Sequence, residues 1–163
     1  MKTIAIYIIA ISLLSCKSHL AEKKSPIVGH IPAFKLISGD STRFLNSADL
    51  PSGHPTLLMY FSPSCDHCQR QVKSILSHLQ QISDVQIYLV TDDSFKEIKA
   101  FSEELRLDTA ENIMVTKDLS YSFFAAYKPT DVPYIAIYDA KKQLKKIYSG
   151  ETEIDFIINT VRE

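Results

Sequence analysis

Apolar positions along the chain alternate between two kinds of pattern. Leu57-Leu58-Met59-Tyr60-Phe61 is a short unbroken apolar run, as expected of a strand buried on both faces. Val72, Ile75, Leu76, Leu79 and Ile82 then recur at spacings of three and four, as expected of a helix that packs one stripe on a sheet. The pattern predicts a strand over 56–61, a helix over 66–81 and a second strand over 85–90. Ser94-x-x-Glu97 is a capping box, and Phe95, Ile98, Phe101 and Leu105 supply the apolar face of a second helix. Ile113-Met114-Val115 reads as a short strand, and Asp118 as the cap of a helical turn carrying Leu119, Phe123, Phe124 and Tyr127. The run over 134–138, a polar turn over 139–143 and a return over 144–149 make a hairpin. Thr152-x-x-Asp155 caps a last helix with Ile154, Ile157, Ile158 and Val161 on one face. Upstream, Phe34-Lys35-Leu36-Ile37, a turn over 38–41 and Arg43-Phe44-Leu45 form an extended entry segment. The order is βαβα, then a ββ hairpin, then α, which implies an α/β fold with a mixed central sheet flanked by helices.

A chain of 163 residues with 45% hydrophobic content builds one ordinary core, hence a single folded domain. The formal charge is -1 and the basic residues are dispersed, so no nucleic-acid partner is expected. The N-terminus changes the picture. Met1-Lys2 precedes an apolar stretch from Ile4 to Leu14, too short to span a bilayer comfortably but of signal-peptide length. It ends in Leu13-Leu14-Ser15-Cys16, which resembles the lipobox of bacterial lipoproteins, in which the chain is cut just before the cysteine and its sulfur and new amino group are acylated. The expected organisation is a signal peptide over 1–15, a lipidated Cys16 with a flexible tether over 16–26, and a folded domain over 27–163. The tether is polar and Lys-rich, with a reach of about 17 Å. The domain would then face the periplasm from an inner or outer membrane of the cell envelope.

With Cys16 assigned to lipid, Cys65 and Cys68 are the remaining pair of three cysteines. Cys65 sits where the buried strand turns into the helix, and the helix N-terminus favours its thiolate. Cys68 lies one turn behind, able to attack a mixed disulfide on Cys65, so that the pair cycles between dithiol and disulfide. Two thiolates do not make a closed zinc site, and no metal or other cofactor is expected. His19, His30, His54 and His78 have no ligand-like spacing and read as surface residues. Arg70 and Lys73 read as an exposed charged face, and Phe123, Phe124 and Tyr127 as core. Strand packing is the default for Tyr60 and Tyr134.

From Ile27 to Val161 the chain resembles the thioredoxin superfamily, in particular its membrane-tethered TlpA-like branch, which shares an N-terminal β extension with peroxiredoxins. Three matches carry the resemblance: the segment from Pro26 to Leu50, the placement of Phe61-Ser62-Pro63-Ser64-Cys65-Asp66-His67-Cys68, and Val132-Pro133 before the hairpin. The resemblance implies a thioredoxin-like fold and a thiol-disulfide oxidoreductase acting on protein thiol and disulfide clients, with a membrane electron donor or acceptor. It implies that Pro133 is cis and that Val132 lends backbone hydrogen bonds to a bound cysteine peptide. Ser64 stands where relatives commonly carry Trp, and Met59 where thioredoxins place a buried acid. His67 resembles the histidine of strongly oxidising disulfide oxidases and raises the potential when charged, whereas Asp66 repels the thiolate and lowers it. The competing expectations are a copper-delivery module using Cys65, Cys68 and His67, and a peroxiredoxin-type peroxidase with Ser62 near the thiol.

Overall fold

The computed structural model of the protein describes residues 29–163. The expected signal peptide, Cys16 and the tether lie outside the described residues, as do the first two positions of the expected domain. The element order is β1 (Lys35–Ser38), β2 (Phe44–Asn46), β3 (Thr56–Tyr60), α1 (Asp66–Ser77), β4 (Gln86–Thr91), α2 (Phe95–Glu104), β5 (Ile113–Lys117), α3 (Ser122–Tyr127), β6 (Tyr134–Tyr138), β7 (Leu144–Ser149) and α4 (Ile154–Arg162). The strands form one sheet in the order β2-β1-β5-β4-β3-β6-β7. β3, β4 and β5 run parallel, and β1, β2, β6 and β7 join antiparallel. The entry segment is therefore a β extension stitched to β5, as the sequence predicts.

The unbroken apolar run of β3 has a direct explanation. Leu57, Met59 and Phe61 pack with Val72, Ile75, Phe101 and Ile157 on the side covered by α1, α2 and α4. Leu58 and Tyr60 point the other way, into a cluster with Phe34, Phe123, Tyr127 and Tyr138 under α3. Both faces are dry, so alternation in direction leaves no alternation in polarity. Phe123 stacks on Tyr60 at 5.6 Å and on Tyr127 at 4.3 Å between ring centroids. Burying such a ring contributes about 1.5–3 kcal/mol before any stacking energy.

The helix ends differ from expectation. α1 stops at Ser77, not at 81. Ser77 Oγ donates to the Lys73 carbonyl and His78 Nδ1 to the Ser74 carbonyl, and the chain tightens into a 3-10 turn over Leu79–Ile82. α4 starts at Ile154 after Glu153, without a side-chain cap. Thr152 is diverted, since its N–H donates to Gln71 Oε1 at 2.7 Å and its hydroxyl to the Gly150 carbonyl. Asp118 does serve the start of α3, accepting from the Ser122 and Phe124 N–H groups at 2.9 and 3.0 Å. Leu119 and Phe124 are nonetheless exposed, against the core assignment of Phe124. The capping box at Ser94 and Glu97 forms as predicted.

Register decides what meets at one end of the sheet. Tyr60 lies opposite Tyr134, and Tyr134 opposite Ser149. The residues following β3, preceding β6 and following β7 are thereby brought to one place.

Candidate active site

After Phe61, whose N–H still bonds the Val90 carbonyl at 2.9 Å, the chain leaves the sheet through Ser62-Pro63-Ser64. Cys65 is the N-terminal cap of α1, with extended backbone angles of φ -86 and ψ 118. Its N–H donates to the Ser62 carbonyl at 3.1 Å, and its carbonyl accepts from the Gln69 N–H at 3.0 Å. Gln69 Nε2 donates to the Pro63 carbonyl at 2.9 Å, locking the turn from the helix side. Cys65 is half-buried, whereas Cys68 is fully buried among the α1-side core residues, and both are free thiols.

Burial pushes the Cys68 thiol up to about 12. The Ser62 backbone N–H, bonding its sulfur, offsets part of this, and the adjacent Cys65 thiol raises it further. Met59 lies fully buried in the same cluster where an acid was absent from the sequence. Asp93 is the carboxylate whose field bears on the Cys68 sulfur, and its Oδ2 accepts from Thr91 Oγ1 at 2.9 Å.

The Val132-Pro133 peptide bond is cis, as expected. Val132 is half-buried and packs, like Cys65, against the cluster that holds Cys68. A groove of about 650 Å³ runs beside these residues, lined by His67, Gln71, Asp131, Val132, Glu151 and Thr152. Gln71 is buried. Its carbonyl is taken by Thr152, and its Nε2 has no protein partner among the described residues.

Asp66 and His67 are both exposed at the start of α1. Asp66 lies in the first turn, where the helix N-terminus welcomes its charge. His67 is not free. Its Nδ1 lies 2.8 Å from Glu151 Oε2 and 2.8 Å from Arg70 Nη2. With a proton on Nδ1 it donates to the carboxylate, and without one it accepts from the guanidinium. Arg70 in turn donates to Glu151 through Nε at 3.0 and 3.1 Å and through Nη2 at 2.7 Å. Hydrogen bonds from Arg70 and then His67 hold the Glu151 carboxyl down at about 2. Arg70 is therefore an ion-paired member of the site, not simply an exposed charged face.

Sequence reasoning named Cys65, Cys68, Asp66, His67, Val132 and Pro133, and the fold brings them to one end of the sheet, beyond β3 and before β6. It missed Glu151, Gln71 and the part of Arg70. No local signal marks Glu151, which stands more than 80 residues from the motif. Tyr60 and Tyr134 are strand-packed as expected, although the Tyr60 hydroxyl also donates to Asp92 Oδ1 at 2.8 Å.

Residues 27–159 match the AhpC/TSA family. The chain belongs to the AhpC/TSA family. Among curated proteins it is similar to the methylamine utilization protein MauD of Methylophilus methylotrophus, 25% identical over 134 residues. That match covers 81% of this chain but spans only 61% of the relative's length. Among solved structures it is similar to a secreted Mycobacterium tuberculosis disulfide oxidoreductase homologous to E. coli DsbE, with TM-score 0.65 and 16% identity, covering 79% of this chain and 94% of that one. It is also similar to MTB DsbF in its mixed oxidized and reduced forms, with TM-score 0.68 and 19% identity, covering 79% and 92%. The fold is thioredoxin-like, as the sequence resemblance implied. Among the described residues no helix is long and apolar enough to cross a membrane.

Proposed function

We propose that this AhpC/TSA protein is an exported, lipid-anchored thiol-disulfide oxidoreductase working through Cys65 and Cys68 on protein clients. The observation that carries the reading is the asymmetry of the pair. Cys65 is half-exposed at a helix N-terminus and packs, like Val132, against the cluster in which Cys68 is completely buried one turn behind it. One thiol meets the client, and the other is reachable only from within. Cys65 as thiolate attacks a client disulfide, forming a Cys65–client bond while the client's second sulfur leaves as thiolate and takes up a proton. Cys68 then attacks the Cys65 sulfur, the client departs reduced, and the protein is left as the Cys65–Cys68 disulfide. The backbone of Val132 holds the client strand, and Asp66 and His67 tune the pair. In this direction a membrane donor returns two electrons per cycle.

The full-length protein equilibrated against reduced and oxidised glutathione is expected to form the Cys65–Cys68 disulfide reversibly. Its potential is expected nearer thioredoxin's, about -270 mV, than DsbA's, about -120 mV. Failure to form that disulfide at any ratio would remove the redox reading. Rapid consumption of hydrogen peroxide by the dithiol would instead favour a peroxidase.

The anchor has its own test. Several acyl chains on Cys16 would hold the domain stably at a membrane, where one chain would not. Cells expressing the full chain and fed radiolabelled palmitate are expected to label it. Cys16→Ser should abolish the label, and a wild-type chain that takes up no label would rule out the lipid tether.

A further inference from the structure

The loop joining β7 to α4 bonds both the Pro133 segment and α1 within three residues. The Gly150 N–H donates to the Pro133 carbonyl at 2.9 Å, and the Thr152 N–H donates to Gln71 Oε1 at 2.7 Å. Between these two anchors Glu151 reaches α1, where it accepts from Arg70 and meets His67 Nδ1. The carboxylate is placed by its own backbone. It thus differs from the surface ion pairs in which two long side chains must be held by each other, and which contribute little.

The charges around this carboxylate set a clear sign. Arg70 is charged at all working pH values and stands two residues past Cys68 on the helix that Cys65 caps. Left uncompensated, it would stabilise a Cys65 thiolate. Whatever stabilises the thiolate favours the dithiol and raises the reduction potential. Glu151 cancels that charge with paired hydrogen bonds, and it also holds His67, the ring nearest the two cysteines in sequence. The other charged residues about the groove, Asp66, Asp131 and Glu153, are all acidic.

We propose that Glu151 is a positioning residue of the redox centre: by neutralising Arg70 and fixing His67 it withholds their positive charge from the Cys65 sulfur and keeps the pair on the reducing side. The inference rests on the reading that Cys65 and Cys68 cycle between dithiol and disulfide. It gives the Gly150–Thr152 loop a function in addition to its packing, as the third wall of the site.

The test compares the full-length wild type with E151Q and E151D, each equilibrated at pH 7 with glutathione. In this exchange the dithiol gives two electrons and two protons to glutathione disulfide, yielding the protein disulfide and two glutathione thiols. The peptide that contains both cysteines is read by mass after alkylation. E151Q is expected to shift the equilibrium about fivefold toward the dithiol, which at 29.6 mV per decade is about 20 mV upward. E151D, which keeps the charge, should restore at least half of the shift. The difference between wild type and E151Q should shrink in 1 M salt, where the screening length falls to about 3 Å. A merely structural role would lower the melting temperature and leave the potential and its salt dependence unmoved. An E151Q potential equal to the wild type's within twofold in the equilibrium constant, or lower, overturns the proposal. A wild type that forms no disulfide at any ratio overturns it together with the redox reading, so the two failures are told apart.

Discussion

Cys68→Ala is expected to convert the full-length protein into a trap, accumulating mixed disulfides through Cys65 that the wild type resolves too fast to collect. The reason is positional. Cys68 is buried behind Cys65, so its removal takes away the intramolecular nucleophile without altering the surface a client meets. Release then falls to thiols from solution, and since an intramolecular group acts at a high effective concentration, the adduct should live about 10²-fold longer or more. The structural cost is about 1–3 kcal/mol, because one sulfur is deleted from a packed core and the Ser62 N–H that bonds it loses its partner. Cys65→Ala in the same cells should yield no adducts at all. The measurement is non-reducing electrophoresis of the protein captured after acid quenching, with each adduct identified by mass. If Cys68→Ala captures nothing while its Cys65 still alkylates readily, the client-exchange role is wrong.

How far the sequence reported this site depends on whether a feature was local. The apolar run over 57–61 showed its double burial because each residue carries its own hydrophobicity, and Cys65 to Cys68 lies within one helical turn. Val132-Pro133 was readable through the family resemblance, by its place directly before a run that had to be a strand. Glu151 was not readable. It reaches His67 only because Tyr134 pairs with both Tyr60 and Ser149, and a one-residue slip in either register would send it elsewhere. Gln71 was hidden differently: nothing in the sequence marks it for burial, and its amide oxygen accepts from the Thr152 N–H in the folded chain. Phe124 misled because α3 spans only six residues after a left-handed Tyr121, so Phe123 and Tyr127, four apart, take the buried face. Phe124, about 100° further round the helix, is left outside. Helix ends failed where side chains competed with the helix, at Ser77, His78 and Thr152.

Resolution of the mixed disulfide is expected to accelerate about tenfold per pH unit from pH 6 to pH 8, without a plateau in that range. Only the thiolate attacks, and the Cys68 thiol is pushed up to about 12, chiefly by burial. At pH 7 the thiolate is therefore the minor form, and it grows in proportion to hydroxide until the pH approaches the group's own value. The sign follows from the cause: burial penalises the charged form, so raising the pH supplies what the core withholds. In the mixed disulfide Cys65 is neutral, and its share of the upward push is lost. Burial, the largest cause, remains, so the break still lies above the ordinary thiol value of about 8.5. The experiment loads Cys65 with a chromophoric thiol, removes excess reagent and follows its release in a single turnover across pH. A rate that levels off below pH 8 would mean that a base close at hand takes the proton. Asp93 is then the first group to replace, because it is the carboxylate whose field bears on the Cys68 sulfur. Asp93→Asn would restore the tenfold slope if that carboxylate is the acceptor, and leave the plateau in place if the acceptor is another group.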